Sequence, residues 1–181
     1  MGEYRKTRLQ EVTSEWFLRG EPNVEVTLRY RGVPVSYREA EEDMGSFAQG
    51  MKCQLFGKNS RKRVFMVPVI EGYAKGQSYA ALYKPSDDTH IHCLLKLPGD
   101  PLDHKEMIRK IWLASSKLSG DPNIYCPEGG EEGNRKGSGE GWFKLLATDD
   151  LKTVFAGYNL KTCGNELDPV LLKFVPSRWV I

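Results

Sequence analysis

The residues best suited to chemistry are two of the three histidines, His90 and His92, which are separated by a single isoleucine. On an extended strand alternate side chains share a face, so this spacing sets two imidazoles side by side. Two imidazoles can begin a zinc site, but such a site also needs a third ligand and partners that orient the rings. A histidine-triad nucleotide hydrolase needs a third alternating histidine, and position 94 is Leu94. A two-histidine phosphoesterase needs a second H-x-T/S motif, and the chain has none. The pair is therefore read as structural or surface. No catalytic residue, metal ligand or cofactor is assigned, and a small His-dependent hydrolase stands third among the functional readings.

The other chemical motifs are weaker. Gly137-Ser138-Gly139-Glu140-Gly141 is rich in glycine but lacks the G-K-S/T of a phosphate loop. Cys53, Cys93, Cys126 and Cys163 contain no CxxC pair, so a zinc finger is excluded and four reduced thiols are expected. Gly2 is followed by Lys6 where myristoylation wants Ser or Thr, so that modification is not expected.

Charge is more informative. The chain carries 26 basic and 24 acidic residues, a net charge of +2. Between Lys52 and Lys75 there are six basic residues and only Glu71 against them. Lys58, Arg61, Lys62 and Arg63 crowd what reads as the exposed turn of a hairpin. Such a turn attracts phosphates, whether of RNA or of anionic lipid. Arg5, Lys6 and Arg8 form a second, smaller basic group in the N-terminal arm.

These residues must be positioned by a domain of 181 residues, of which 40% are hydrophobic. That is enough for one packed core and too polar for a membrane span. Residues 1–22 read as a partly ordered arm, with Trp16, Phe17 and Leu18 docking on a single domain, 23–181. Val24, Val26, Leu28 and Tyr30 alternate with polar residues, predicting a half-buried strand. Ser36 and Glu39 have capping-box spacing and open a short helix ending near Gly50. Strands are expected at Lys52–Phe56, Val64–Ile70, Ser78–Tyr83, Thr89–Leu97, Trp142–Ala147 and Thr153–Thr162, with 167–175 ambiguous. Asp100-Pro101 opens the long helix, with Ile108, Ile111 and Trp112 on its apolar stripe and Gly120 at its end. Seven of the 18 glycines lie between 120 and 141, predicting a mobile loop there. The fold class is α+β: an antiparallel sheet of five to seven strands with one short and one long helix packed on it.

The stretch Val24-Glu25-Val26-Thr27-Leu28-Arg29, followed by Pro34-Val35-Ser36-Tyr37 and an acidic helix, resembles the opening of the rhabdovirus matrix protein core. Residues 52–70 are similar to that family's following hairpin, and Thr89-His90-Ile91-His92-Cys93 to a further strand of its sheet. The resemblance spans about residues 24–93, and nothing aligns beyond 98. No P-P-x-Y or P-T/S-A-P motif is present. The resemblance implies a non-enzymatic structural protein of the virion that self-associates and bridges ribonucleoprotein to an anionic membrane surface. Its expected partners are itself, viral nucleoprotein or RNA, and that membrane. It implies residence in the virion and host cytoplasm, peripheral at membranes, with nuclear entry compatible with the basic turn. The second reading is a nucleic-acid-binding viral effector, such as an RNA-silencing suppressor.

Overall fold

The computed structural model describes residues 8–30, 34–73, 84–115, 124–125, 142–160 and 170. The fold is α+β. Among the described residues, five antiparallel strands are β1 (Val24–Tyr30), β2 (Phe65–Glu71), β3 (His90–Lys96), β4 (Ile124–Tyr125) and β5 (Phe143–Leu145). The α-helices among them are α1 (Arg8–Arg19), α2 (Tyr37–Phe56), α3 (Lys105–Leu113) and α4 (Asp149–Asn159). The sheet runs β2-β3-β1-β4, and β5 pairs with β1. With α2 between β1 and β2 and α3 between β3 and β4, this is the split βαβ arrangement.

Strand alternation divides the molecule into layers. Val24, Val26 and Leu28 of β1, Met66 and Ile70 of β2, and Ile91, Cys93 and Leu95 of β3 pack with α2 and α3 in one core. Val67 and Val69 of β2 and Leu94 of β3 look the other way. They meet Phe17 of α1 and Ala156 of α4 in a second core. Gln10 of α1 donates its Nε2–H to the Leu160 carbonyl at 2.9 Å, tying that helix to the end of α4. The sheet is therefore covered on both faces, which makes its polar face residues unusual.

Several elements differ from the sequence expectation. The N-terminal arm is helical from Arg8, and its Phe17 is fully buried. Residues 52–56 are not a strand but the last turns of α2. Ala40, Met44, Phe47 and Met51 form one buried stripe, and that period carries the helix through Gly50. A Cβ at Gly50 would come within 2.6 Å of Ile111 Cγ2, so this glycine permits α3 to approach rather than ending α2. The helix ends at Gly57, whose φ of 86° is left-handed. Lys58 to Arg63 thus join a helix to a strand and are not a hairpin tip.

The expected long helix after Asp100 is the short one. Pro101–His104 is a 3-10 turn, and α3 follows with nine residues. Ile108 and Trp112 are buried as expected. Residues 153–162 were expected as a strand, yet 149–159 are helical. Thr148 Oγ1 accepts the Leu151 N–H at 3.2 Å, and Asp149 and Asp150 stand in the first turn, a start signal that outweighs the β-branched residues behind it. The capping box is present: Ser36 Oγ accepts the Glu39 N–H at 3.3 Å, and Glu39 accepts the Ser36 N–H at 2.8 Å. The strand expected at 78–83, the loop at 120–141 (save Ile124 and Tyr125) and the ambiguous 167–175 (save Val170) lie outside the described residues.

Candidate metal centre

The histidine pair lies on β3, the strand between β2 and β1. Register places His92 between Val69 of β2 and Thr27 of β1, and His90 between Glu71 and Arg29. All six side chains share the face that carries the second core. Glu71 ends an otherwise apolar strand, and its Oε2 lies 3.6 Å from His90 Nε2 and 3.8 Å from His92 Nε2. One ligand atom from each of the three residues lies within 4.8 Å of the others. Metal bonds of about 2.0–2.1 Å put tetrahedral donors about 3.3–3.4 Å apart, so the two Glu71–histidine separations lie within about 0.5 Å of that spacing.

The opposite ring nitrogens are held. His90 Nδ1 is 2.6 Å from the Asp88 carbonyl, an acceptor only, so Nδ1 carries the proton and donates. His92 Nδ1 donates to Glu25 Oε1 at 2.8 Å. Thr27 Oγ1 donates to the same carboxylate oxygen at 3.2 Å. In the neutral rings both Nε2 lone pairs therefore turn toward the Glu71 carboxylate. Three acceptors then converge, a geometry that calls for a cation or a proton between them. Metal-ligating histidines characteristically donate their other N–H to a carboxylate or a backbone carbonyl, and here one does each.

Glu25 has no exposed surface, and Lys144 Nζ on β5 sits 3.2 Å from its Oε2. Burial works to raise the Glu25 carboxyl. The His92 hydrogen bond and the Lys144 ammonium outweigh it and hold the group below the usual carboxylate range. The His92 orienter is thus a fixed anion. The Asp88 carbonyl is fixed differently: a Cβ at Gly72, which has φ 72°, would fall 2.0 Å from that oxygen. Only a residue without a side chain lets the carbonyl reach His90.

Access is uneven. Glu71 and His92 side chains are 4% and 5% exposed, while His90 is 19% exposed. Arg29, across from His90, is exposed. Solvent therefore reaches the cluster from the His90 and Arg29 side. The structure adds to the pair a third ligand-type residue and both orienting partners. Sequence reasoning passed over Glu71, Glu25 and Thr27. The first was noted as the acid among the basic residues between Lys52 and Lys75, the others as polar alternates of a half-buried strand.

The basic residues are elsewhere. Arg61, Lys62 and Arg63 are brought together with Lys52 around a groove of about 560 Å³ between α2 and the start of β2. Lys62 Nζ also lies 5.9 Å from the centre of the Phe56 ring. Lys58 is not among the groove's residues. Arg8 opens α1, on the other side of the sheet from α2, and Arg5 and Lys6 lie outside the described residues. Compared with known proteins, the chain matches no family model, no curated protein and no solved structure.

Proposed function

We propose that this chain is a divalent-metal-dependent enzyme acting on the phosphodiester backbone of a nucleic acid. The observation that carries the proposal is the convergence of His90 Nε2, His92 Nε2 and Glu71 Oε2, each ring oriented from behind. Mixed imidazole and carboxylate donors suit Mn²⁺ or Zn²⁺, and three protein ligands leave positions open for substrate. A bound cation supplies polarisation of a phosphoryl oxygen. The chain's own part is to hold that cation, to fix the tautomers through Glu25 and the Asp88 carbonyl, and to offer Arg29 beside His90 for a neighbouring phosphate oxygen. Two features favour a nucleic acid over other esters. The cluster meets solvent at the His90 and Arg29 end of the sheet, where an exposed guanidinium is available to a phosphate. The basic segment of the same domain adds affinity for phosphates.

The test is a pair of measurements. Calorimetry with Mn²⁺ and Zn²⁺ is expected to give one site per chain, lost in His92→Ala. End-labelled single-stranded DNA and RNA oligonucleotides are expected to be cut in the presence of the metal and spared with EDTA or in His92→Ala. Absence of stoichiometric metal, or metal binding with every oligonucleotide intact, refutes the proposal. The second reading is non-enzymatic: a matrix-type protein that bridges ribonucleoprotein to membrane. The basic groove favours it, and RNA and vesicle binding by a chain that takes up no metal decides for it.

A further inference from the structure

We propose that the groove between α2 and residues 60–64 is a second nucleic-acid contact, gripping the phosphate backbone at a place distinct from the metal centre. Lys52 projects from α2 into it, and Arg61, Lys62 and Arg63 line its other wall. No acidic residue is among its lining. Gln49 and Ser60 add polar groups, over a base of Ala48, Val64 and Met66. Ser60 Oγ accepts the Lys62 N–H at 3.1 Å, and the Ser60 N–H donates to the Gly57 carbonyl at 3.1 Å, so the wall has a defined turn geometry. Four cations around a concave, partly apolar trough match a chain of phosphates with its sugars. A membrane surface is flat, and headgroups would be met better by a protruding turn. That is the geometry expected from sequence and not the one found.

The groove and the cluster cannot hold the same phosphates. Met66 and Glu71 are five residues apart on β2, about 17 Å at strand pitch, and their side chains lie on opposite faces of the sheet. The two sites engage separate stretches of nucleic acid. The inference stands whether or not the metal centre cuts its substrate, since the groove contains none of its ligands.

The test is fluorescence anisotropy with a labelled single-stranded 20-mer in EDTA, so that binding is read apart from cleavage. Arg61→Glu/Lys62→Glu/Arg63→Glu is expected to weaken binding at least tenfold. The slope of log K against log salt should become shallower by about two, as expected for three lost phosphate contacts on a single strand. Lys52→Gln alone should weaken binding severalfold and guards against a triple variant that fails to fold. Circular dichroism reports the fold of both. Unchanged binding in both folded variants overturns the inference. So does a wild type that ignores the oligonucleotide and floats with vesicles containing phosphatidylserine, which reassigns the groove to lipid. Groove binding by a wild type that leaves the oligonucleotide intact with Mn²⁺ and with Zn²⁺ would sink the enzymatic proposal and leave this one standing.

Discussion

Glu71→Gln separates a metal centre from a buried ion pair, because the two assignments predict opposite results. Without a cation, neutral His90 and His92 present lone pairs rather than N–H donors to a carboxylate 3.6 and 3.8 Å away. Glutamine is nearly isosteric, keeps one acceptor oxygen and gains an N–H that can donate to an imidazole. A hydrogen bond of that kind is worth about 1 kcal/mol. The metal-free variant is therefore expected to melt within about 3 °C of wild type or above it, at about 2–4 °C per kcal/mol for a chain of this size. With metal the order reverses. Mn²⁺ or Zn²⁺ at a hundred times its Kd stabilises wild type by about 2.7 kcal/mol, or about 5–10 °C, and the variant should gain almost none of this. Differential scanning fluorimetry with and without EDTA reads all four values. If Glu71→Gln loses more than about 6 °C in EDTA and wild type ignores metal, Glu71 is the partner of a protonated histidine and the centre does not exist.

Further outcomes follow from the same geometry. Glu25→Gln removes the charge behind His92 without touching the ligand set and should weaken metal affinity 10- to 100-fold by calorimetry; unchanged affinity means that His92 is not a ligand. Trp112 is fully buried against Tyr30 and Phe47, so Trp112→Ala should cost about 3–5 kcal/mol in urea unfolding; a loss under 1 kcal/mol contradicts that packing. Burial, with the Glu25 carboxylate nearby, pushes the Cys93 thiol well above its ordinary range. It should resist alkylation at pH 8 until the protein unfolds, as mass spectrometry of the labelled chain would show.

What could be read from sequence was what local spacing encodes. The period-two run gave β1, apolar stretches between turn signals gave β2 and β3 nearly to the residue, and the S-x-x-E box gave the start of α2. The His90–His92 pair on one strand face was equally legible. Its third partner was not, because Glu71 stands 19 positions earlier and meets His90 only through the β2–β3 register. A hint was available: a glutamate closing the run Phe65 to Ile70 is costly unless something charged waits for it. Glu25 and Thr27 were assigned to water because alternation suggests one wet face. That assumption failed because α1 and α4 cover the second face, and neither helix was foreseen. Residues 52–56 misled for a different reason: Gly50 reads as a stop unless one knows that Ile111 needs the space.

Gly57 and Gly72 share a left-handed backbone, and a scan of turn glycines would treat them alike. They are not equivalent. A methyl group at Gly57 meets nothing within 4 Å, whereas at Gly72 it collides with the Asp88 carbonyl. Alanine at 57 would register only as conformational strain. Alanine at 72 would add the same strain and also displace the acceptor that decides which His90 nitrogen bears hydrogen. The ligand set would stay complete in composition while one of its members turned the wrong edge inward. In the proposed centre a cation's affinity is thus written partly in a residue that has no side chain to offer it.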